Sequence, residues 1–180
     1  MTTEKRKGKT RSLQPSPLNL QPSYRVGIGN DIHRLALGRK LILGGIEIPF
    51  DKGPLGHSDG DALCHAICDA LLGAAALGDI GQHFPDTSPK WRNANSLLFL
   101  GYVKGLLDER GCTIANVDAT VGIERPKLVR HIPLMRKQIA SALGIKPTQV
   151  SVKAKSGEGM DAVGRGEAVR ADAVVLISAR

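Results

Sequence analysis

The segment from Gly53 to Thr87 constrains the fold most, because it joins a long apolar helix to an unusual set of polar side chains. Small and aliphatic residues recur there every three or four positions, as on a buried helical face: Leu63, Ala66, Ile67, Ala70, Leu71 and Ala74. Ser58 or Asp59 is the predicted N-cap, since either side-chain oxygen can accept from an amide two or three residues further on. The rest of the chain is expected to pack around this helix.

Three polar side chains follow one stripe of the predicted helix. Asp61, His65 and Asp69 are four residues apart, which places carboxylate, imidazole and carboxylate on the same side. A buried polar group needs a partner that compensates for its lost hydration. The stripe therefore predicts a cation beside the helix.

Composition limits the class of protein. The 180 residues are 42% hydrophobic and 23% charged, as expected for one globular domain. Only 3% are aromatic, which leaves little ring surface for stacking the bases of single-stranded nucleic acid. No apolar run reaches the roughly 18 residues that a membrane-spanning helix needs. We therefore expect neither a nucleic-acid partner nor a membrane partner.

The three cysteines argue against a disulfide framework. Their number is odd, and Cys64 and Cys68 lie within the predicted helix, where they would face the core; the third is Cys112. Free buried thiols indicate a reducing compartment. The protein is expected to be cytoplasmic and bacterial.

A basic tail is predicted at residues 1–24. It holds five of the basic residues and one acidic residue, a net charge of +4 within the +8 of the whole chain. It is rich in Ser, Pro and Gln without apolar periodicity, which is typical of disorder. It lacks the apolar core of a secretory signal, whereas a short organelle transit peptide, and hence a plastid location, is the alternative. Residues 25–180 are expected to form a single catalytic domain.

Strands and helices alternate after the tail, which predicts an α/β fold, an α+β sandwich with a mixed sheet and helices on one face. The G-x-G at Gly27 and Gly29 is not a dinucleotide-binding fingerprint, because no third glycine and no helix follow it. These glycines are expected to let the backbone approach another strand or a ligand. The predicted elements are a strand at 25–33, a hairpin around Gly44 and Gly45, helices from Asn95 or Ser96 to Gly111 and over 131–143, and strands at 113–123, 150–155 and 167–178.

A metal site is predicted from spacing. Asp31 and His33 project to the same side of a strand, and with His65 they offer one carboxylate and two imidazoles, which leaves a fourth position open as in catalytic zinc sites. The alternative is that these are ordinary surface or core residues. Cys64 and Cys68 are poorer candidates, because zinc ribbons and knuckles use C-x2-C rather than C-x3-C.

Two loops have the composition of phosphate sites. Residues 57–60 (HSDG) and 156–159 (SGEG) combine small residues, exposed amides and a carboxylate. Amides and hydroxyls bind phosphate oxygens, and a carboxylate can hold Mg²⁺ between phosphates. A plain turn is the alternative for each.

Together these residues resemble a known family. The strand Gly27-x-Gly29-x-Asp31-x-His33, the block from Gly56 to Thr87, the turn Pro126-Lys127 and the run from Gly164 to Glu167 are similar to 2-C-methyl-D-erythritol 2,4-cyclodiphosphate synthases. The resemblance covers essentially Arg25 to Arg180. It implies a homotrimer with active sites between subunits. It also implies cyclisation of 4-diphosphocytidyl-2-C-methyl-D-erythritol 2-phosphate, a cytidine diphosphate substrate, with release of CMP.

The resemblance also implies residue roles. The zinc ligands would be Asp31, His33 and His65; Glu158 would hold a second ion, Mg²⁺ or Mn²⁺; and His57 and Ser156 would stabilise the transition state. The metal ligands Asp31, His33 and Glu158 would also contact the substrate, as would His57 and Ser156. The further substrate contacts implied are Ser58, Asp79, Ile80, Gly81, Phe84, Asp86 and Arg165, with Pro126, Lys127 and Lys155 in a cytidine pocket contributed by the neighbouring subunit.

The loop before Gly164 departs from the family pattern. Met160-Asp161-Ala162-Val163 stands where many relatives have Leu-Gly-Phe-Thr, so Ala162 replaces a substrate-contacting aromatic residue. In the family, Arg165 lies near a cavity on the threefold axis that can hold an isoprenoid diphosphate.

Two rival hypotheses are another metal-dependent nucleotide phosphohydrolase, which would yield no cyclic product, and a nucleic-acid-binding module whose binding depends on residues 1–24 and on salt.

Overall fold

A five-stranded mixed sheet is the frame of the chain over residues 23–179, which are the residues that the computed structural model describes. Its spatial order is β4-β1-β7-β5-β6, in which β5 and β6 are parallel and the other pairs are antiparallel. A separate hairpin pairs β2 with β3. The strands are β1 (Ser23–Leu37), β2 (Leu41–Leu43), β3 (Ile46–Ile48), β4 (Lys52–Pro54), β5 (Cys112–Gly122), β6 (Val150–Lys155) and β7 (Ala168–Ala179).

Helices cover one face of this sheet. The helices are α1 (Ala62–Ala74), α2 (Ile80–His83), α3 (Ser96–Glu109) and α4 (Ile132–Ala142). Helix α1 packs across β1 and β7, while α3 contacts β5 and α4 contacts β6. On the opposite face, apolar side chains such as Val26 and Ile28 remain 67% and 74% exposed. The predicted fold class, a mixed sheet with helices on one side, is confirmed.

The predicted element bounds agree with the structure to within a few residues. Strand β6 has the predicted bounds, and β1 begins at Ser23 and continues to Leu37, beyond the predicted end at His33. The predicted disordered tail falls mainly on residues 1–22, which lie outside the described residues, whereas Ser23 and Tyr24 belong to β1. The sequence did not predict α2, a single turn capped by Asp79, whose side chain accepts from the Gln82 amide at 3.0 Å.

The N-cap of α1 is Asp61, and the prediction of Ser58 or Asp59 was wrong. Asp61 Oδ1 accepts from the amides of Cys64 at 3.0 Å and Gly44 at 2.9 Å, and Oδ2 accepts from Gly45 at 2.6 Å. Complete burial raises the pKa of Asp61, although these amides oppose the rise. The carboxylate thus ties the turn of the β2–β3 hairpin to the start of α1.

The predicted cation partner was wrong for both carboxylates of the helical stripe. Backbone amides partner Asp61, as described, and Asp69 Oδ1 accepts from the Ile80 amide at 2.7 Å. Burial also raises the pKa of Asp69. Amides can satisfy a carboxylate as well as a cation can, so a four-residue stripe does not by itself indicate a metal.

Gly27 and Gly29 allow α1 to lie directly on β1. A Cβ added at Gly27 would lie 1.8 Å from the Ala70 carbonyl oxygen, and one at Gly29 would lie 2.1 Å from that of Ala66. These glycines therefore admit a helix backbone rather than the strand or ligand that was predicted. The contact fixes the distance between the two elements that carry the metal-binding side chains.

Gly29→Ala is expected to destabilise the fold by about 1–3 kcal/mol or more, because the new methyl group must push the α1 backbone away from β1. The matched control is Gly105→Ala in α3, where an added Cβ meets nothing within 4 Å. It should be neutral or stabilising by roughly 0.5–1 kcal/mol, since alanine is the better helix former. Urea unfolding followed by circular dichroism measures both. Equal stability of the two variants would contradict the proposed steric role.

Candidate metal centre and active site

Three side chains from β1 and α1 converge on one point. Asp31 and His33 project from β1, and His65 projects from the first turn of α1. Asp31 Oδ2 lies 2.9 Å from His33 Nε2 and 2.9 Å from His65 Nδ1, and the two ring nitrogens are 3.3 Å apart. The predicted grouping of these residues is confirmed as a candidate metal site.

The donor set fits a tetrahedral metal ion. Zinc bonds of about 2.0–2.2 Å to nitrogen and oxygen require ligand atoms about 3.3–3.5 Å apart at tetrahedral angles. The observed separations of 2.9–3.3 Å are slightly shorter, so a small outward movement of the side chains completes the geometry. Three ligands leave the fourth position free.

The ionisation of Asp31 suits metal binding. Burial works against ionisation of Asp31, but hydrogen bonds and charge interactions with His33 and His65 outweigh it and hold the pKa of Asp31 well below its usual range. The same hydrogen bond to Asp31 raises the pKa of His33, although burial opposes it. His33 Nδ1 donates to the Leu55 carbonyl at 2.8 Å, which leaves Nε2 to face the other ligands.

The second nitrogen of His65 has two hydroxyl neighbours. Its Nε2 lies 2.9 Å from Ser96 Oγ and 3.1 Å from Ser58 Oγ, while the Phe99 ring stacks against the imidazole with centroids 6.2 Å apart. Sequence reasoning treated Ser96 as a helix start and missed its side-chain contact. The contact joins residues 31 apart in the chain, and no local spacing signals it.

A cavity of about 500 Å³ opens beside the metal group. The cavity is lined by His33 and His65 and by six of the other predicted substrate-binding residues, whereas Asp31 is not part of the lining. Pro85 lies within the predicted substrate segment from Phe84 to Asp86, whereas sequence reasoning missed Gly56, Trp91 and Phe99, which complete the lining. The predicted residues in the lining are His57, Ser58, Ile80, Gly81, Phe84 and Asp86.

One wall of the cavity is aromatic. Phe84 stacks on Phe99 with centroids 4.2 Å apart, and the Trp91 ring meets both edge to face at 5.1 and 5.6 Å. Three of the six aromatic residues of this chain are thus gathered at one site. The wall offers an apolar surface to the carbon skeleton of a ligand whose polar groups face the metal ligands.

His57, which lines the cavity, is held by a backbone carbonyl. Its Nε2 lies 2.9 Å from the Ser88 carbonyl oxygen, which can only accept, so Nε2 carries the proton. The predicted contact Asp79 does not line the cavity but caps α2, with its pKa lowered by the Gln82 hydrogen bonds. With Asp69 bound to the Ile80 amide, it positions the Ile80–Gly81 segment.

The remaining predicted site residues lie apart from the metal cavity. Pro126, Lys127, Lys155 and Ser156 line a separate pocket of about 70 Å³. Glu158 is exposed, has a φ of 51°, and accepts a short hydrogen bond from the Ser156 hydroxyl. Within residues 23–179, Glu158 is not part of the metal-binding group.

Arg165 also lies outside the metal cavity. Its guanidinium pairs with the Glu167 carboxylate through two contacts of 3.1 Å. A cavity of about 590 Å³ lies beside it, lined in part by Arg34, Ala162 and Glu167. The smaller Ala162 side chain, noted above as a departure, thus faces open space.

The cysteines are free and buried, as predicted. Burial raises the pKa of Cys64 and of Cys68 well above the usual thiol value, so both stay protonated. A protonated thiol is a poor metal ligand, which supports the preference for the Asp31, His33 and His65 group.

Sequence comparisons place the chain among curated proteins of one name. A model of the YgbB family matches residues 24–178. The chain is 54% identical over 155 residues to the 2-C-methyl-D-erythritol 2,4-cyclodiphosphate synthase of Nitrosospira multiformis, covering 86% of this chain and 88% of that protein. It is 57% identical over 153 residues to the Syntrophomonas wolfei protein of the same name, covering 85% and 98%.

Solved structures agree with the sequence comparison. A 2C-methyl-D-erythritol-2,4-cyclodiphosphate synthase in a CDP-bound form matches with a TM-score of 0.78 and 40% identity, over 85% of this chain and 99% of that one. The bifunctional IspDF of Campylobacter jejuni matches with a TM-score of 0.85 and 36% identity, over 89% of this chain and 43% of that longer one. In residues 23–179, no helix has the length and apolar character needed to cross a membrane.

Proposed function

The chain belongs to the YgbB family, whose curated relatives are 2-C-methyl-D-erythritol 2,4-cyclodiphosphate synthases, and from this we propose its reaction. It cyclises 4-diphosphocytidyl-2-C-methyl-D-erythritol 2-phosphate to 2-C-methyl-D-erythritol 2,4-cyclodiphosphate and releases CMP, in the non-mevalonate route to isoprenoid precursors. The enzyme is a phosphorus–oxygen lyase. The observation that carries the proposal is the Asp31, His33 and His65 group at a cavity lined by His57 and Ser58.

The reaction needs no nucleophile from the protein. An oxygen of the substrate's 2-phosphate attacks the β-phosphorus, the bond from that phosphorus to the α-phosphate oxygen breaks, and CMP leaves with the electron pair. Both reacting phosphates are anionic, so the site must hold them together against their repulsion. A Zn²⁺ ion held by Asp31, His33 and His65 would supply Lewis acidity toward a β-phosphate oxygen.

The residues of the cavity position the substrate. The His57 ring is fixed by its bond to the Ser88 carbonyl, and the Ser58 hydroxyl faces the same cavity and can donate to a phosphate oxygen. The wall of Phe84, Trp91 and Phe99 packs on the methylerythritol carbons and excludes water. Exclusion of water matters because hydrolysis competes with attack by the substrate's own phosphate.

A second divalent ion, Mg²⁺ or Mn²⁺, is assigned to Glu158. Hard cations of this kind keep several waters and bind through one carboxylate together with substrate phosphates. Ser156, whose hydroxyl reaches Glu158, is assigned to transition-state stabilisation together with His57. Charge on the departing CMP is the reason for a second cation at this point.

A homotrimer is part of this proposal, and two observations support it. The cytidine-pocket residues Pro126, Lys127 and Lys155 line a pocket separate from the metal cavity of the same chain, as expected if each active site combines two subunits. The sheet face opposite the helices exposes apolar side chains of β1 and β7 that a second copy of the chain would cover. They are Tyr24, Val26, Ile28, Ile32 and Val174.

Ile28→Asp is expected to dissociate the assembly into monomers, because it places a charge within this apolar face, opposite Val174 in the sheet register. Leu98→Asp is the matched control, since Leu98 is 65% exposed on α3, which lies on the helical side of the sheet. Sedimentation velocity should give a trimer for the unaltered protein and for the control. A fully active monomer would contradict a site shared between subunits.

Two further assignments belong to the same proposal. The curated relatives are bacterial proteins, which supports a cytoplasmic location over a plastid one.

Binding of an isoprenoid diphosphate near Arg165, in a cavity on the threefold axis, stays a prediction. The small Ala162 side chain would offer that ligand less apolar contact than an aromatic side chain would.

The assay that tests the function uses the cytidyl substrate, Zn²⁺ and Mg²⁺ in water enriched in ¹⁸O. Phosphorus NMR should show the cyclic diphosphate and CMP appearing in equal amounts, with no ¹⁸O in either product, because no water takes part in the cyclisation. Linear phosphates labelled with ¹⁸O would instead identify a phosphohydrolase and overturn the proposal.

A further inference from the structure

We propose that Asp59 and Ser96 are positioning residues of the metal centre, which fix the ring orientation and tautomer of His65 through a chain of hydrogen bonds. The inference rests on the proposed metal site and assigns two residues outside its ligand set. Asp59 lies in the loop before α1, and Ser96 is the first residue of α3. Together they join the N-terminal ends of both helices to the ligand.

Asp59 accepts hydrogen bonds from Ser96 through both carboxylate oxygens. Oδ2 accepts from the Ser96 amide at 2.9 Å, and Oδ1 accepts a short hydrogen bond from the Ser96 hydroxyl. The Asp59 backbone is held in turn, since its amide donates to the Ala94 carbonyl at 3.1 Å. The Asp61 amide also donates to Asp59 Oδ1, at 3.2 Å. The carboxylate therefore has little freedom to turn away.

The direction of each hydrogen bond follows from what each group can do. An ionised carboxylate only accepts, so the Ser96 hydroxyl must donate its proton to Asp59. The same oxygen lies 2.9 Å from His65 Nε2 and can then only accept, so Nε2 must carry a proton. When a metal ion replaces the Nδ1 hydrogen bond to Asp31, the neutral imidazole with its proton on Nε2 has a free electron pair on Nδ1, the atom beside Asp31 and His33.

Comparison with His33 shows why the tautomer of His65 needs the hydrogen bonds from Asp59 and Ser96. Its Nδ1 donates to a backbone carbonyl, which can never donate, so its tautomer is fixed by the main chain. His65 faces hydroxyls, and a hydroxyl can either donate or accept. Without Asp59, the Ser96 hydroxyl could donate to Nε2 and favour a proton on Nδ1, which would block the metal.

Burial separates Ser96 from the other hydroxyl neighbour. Ser96 is fully buried, and its oxygen contacts His65 and Asp59. Ser58 is 8% exposed, lies slightly further away at 3.1 Å, and lines the substrate cavity. Substrate can therefore compete for Ser58, whereas the bond through Ser96 persists through the reaction.

Asp59→Asn tests this chain of bonds without changing its shape. If the amide oxygen keeps its bond to the Ser96 amide, its NH₂ donates to the Ser96 hydroxyl, which then donates to Nε2 of His65. If the amide is rotated by 180°, its NH₂ faces the Ser96 N–H, two donors oppose each other, and the hydrogen bond to the Ser96 amide is lost. Both orientations favour the wrong tautomer or a loose ring, so Zn²⁺ affinity should fall by about 10–100-fold.

Asp61→Asn is the matched control. Asp61 is an equally structural carboxylate at the start of α1, but it binds the amides of Gly44, Gly45 and Cys64 rather than the His65 ring. It should lower the midpoint of thermal unfolding while leaving Zn²⁺ affinity nearly unchanged. Ser96→Ala should weaken Zn²⁺ binding less than Asp59→Asn, because the Ser58 hydroxyl remains as an acceptor.

The measurement is Zn²⁺ affinity of each folded protein, by competition with a chromophoric chelator, alongside thermal unfolding. Unchanged affinity in Asp59→Asn, or equal losses in Asp59→Asn and Asp61→Asn, would overturn the proposal. If Asp59→Asn does not fold, an unchanged affinity in Ser96→Ala overturns it and a loss supports it. The positioning role is tested by the ratio of Zn²⁺ affinities between each variant and the unaltered protein. The proposed function is tested separately, by whether the unaltered enzyme binds zinc and makes the cyclic product.

Discussion

His65→Ala is expected to abolish tight metal binding and to lower kcat/KM on the order of a thousandfold or more. The metal group has three protein ligands, and removal of the imidazole would leave Asp31 and His33 with a water-filled gap on the α1 side. Two ligands from one strand cannot define a tetrahedral site. Metal content by atomic emission and turnover by CMP release should therefore fall together.

His83→Ala is the matched control for this prediction. His83 is bound to the Leu77 carbonyl at 2.9 Å and is not part of the metal group. It should keep its metal and most of its activity. His33→Ala should behave as His65→Ala does. A His65→Ala protein that retains one metal per chain after dialysis would remove His65 from the ligand set.

Glu158→Gln is expected to keep the first metal and lose most turnover, by about a hundredfold at a fixed Mg²⁺ concentration. The substitution preserves the side-chain shape and an oxygen that can accept from Ser156, but removes the charge that is proposed to hold a second ion. The Mg²⁺ or Mn²⁺ concentration needed for half-maximal rate should rise strongly. Metal content at the Asp31, His33 and His65 group should not change, because Glu158 lies outside that group.

The rate is to be measured against Mg²⁺ concentration for the unaltered enzyme, Glu158→Gln and Glu109→Gln. Glu109 ends α3 and is exposed, so its loss should be nearly silent. An Mg²⁺ titration of Glu158→Gln that overlays the unaltered curve would leave Glu158 as an ordinary loop carboxylate.

The metal group could be predicted because each part of it has a local signature. Asp31 and His33 follow the two-residue period of a strand, and His65 stands within a helix whose apolar spacing is clear. The alternating order of elements then predicted the sheet and its helical layer. Local periodicity was therefore sufficient to predict both the fold class and the three candidate ligands.

Contacts between distant segments could not be predicted in this way. The bond from the Ser96 amide to Asp59 spans 37 residues, and that from the Gly44 amide to Asp61 spans 17. Each requires a particular loop path, and serine and aspartate are common in loops that make no such contact. The same reason explains why the stripe of Asp61 and Asp69 was assigned a cation when amides were its partners.

The central place of β7 has a consequence for folding during synthesis. This strand lies between β1 and β5, yet it is the last of the described elements in the chain, with Ser23 opposite Ala179. At about 5–20 residues per second, a ribosome needs roughly ten to thirty seconds to pass from β1 to β7. During that interval β1, and β5 once it has been made, lack their shared neighbour and present unpaired edges, which can pair with other chains until β7 emerges.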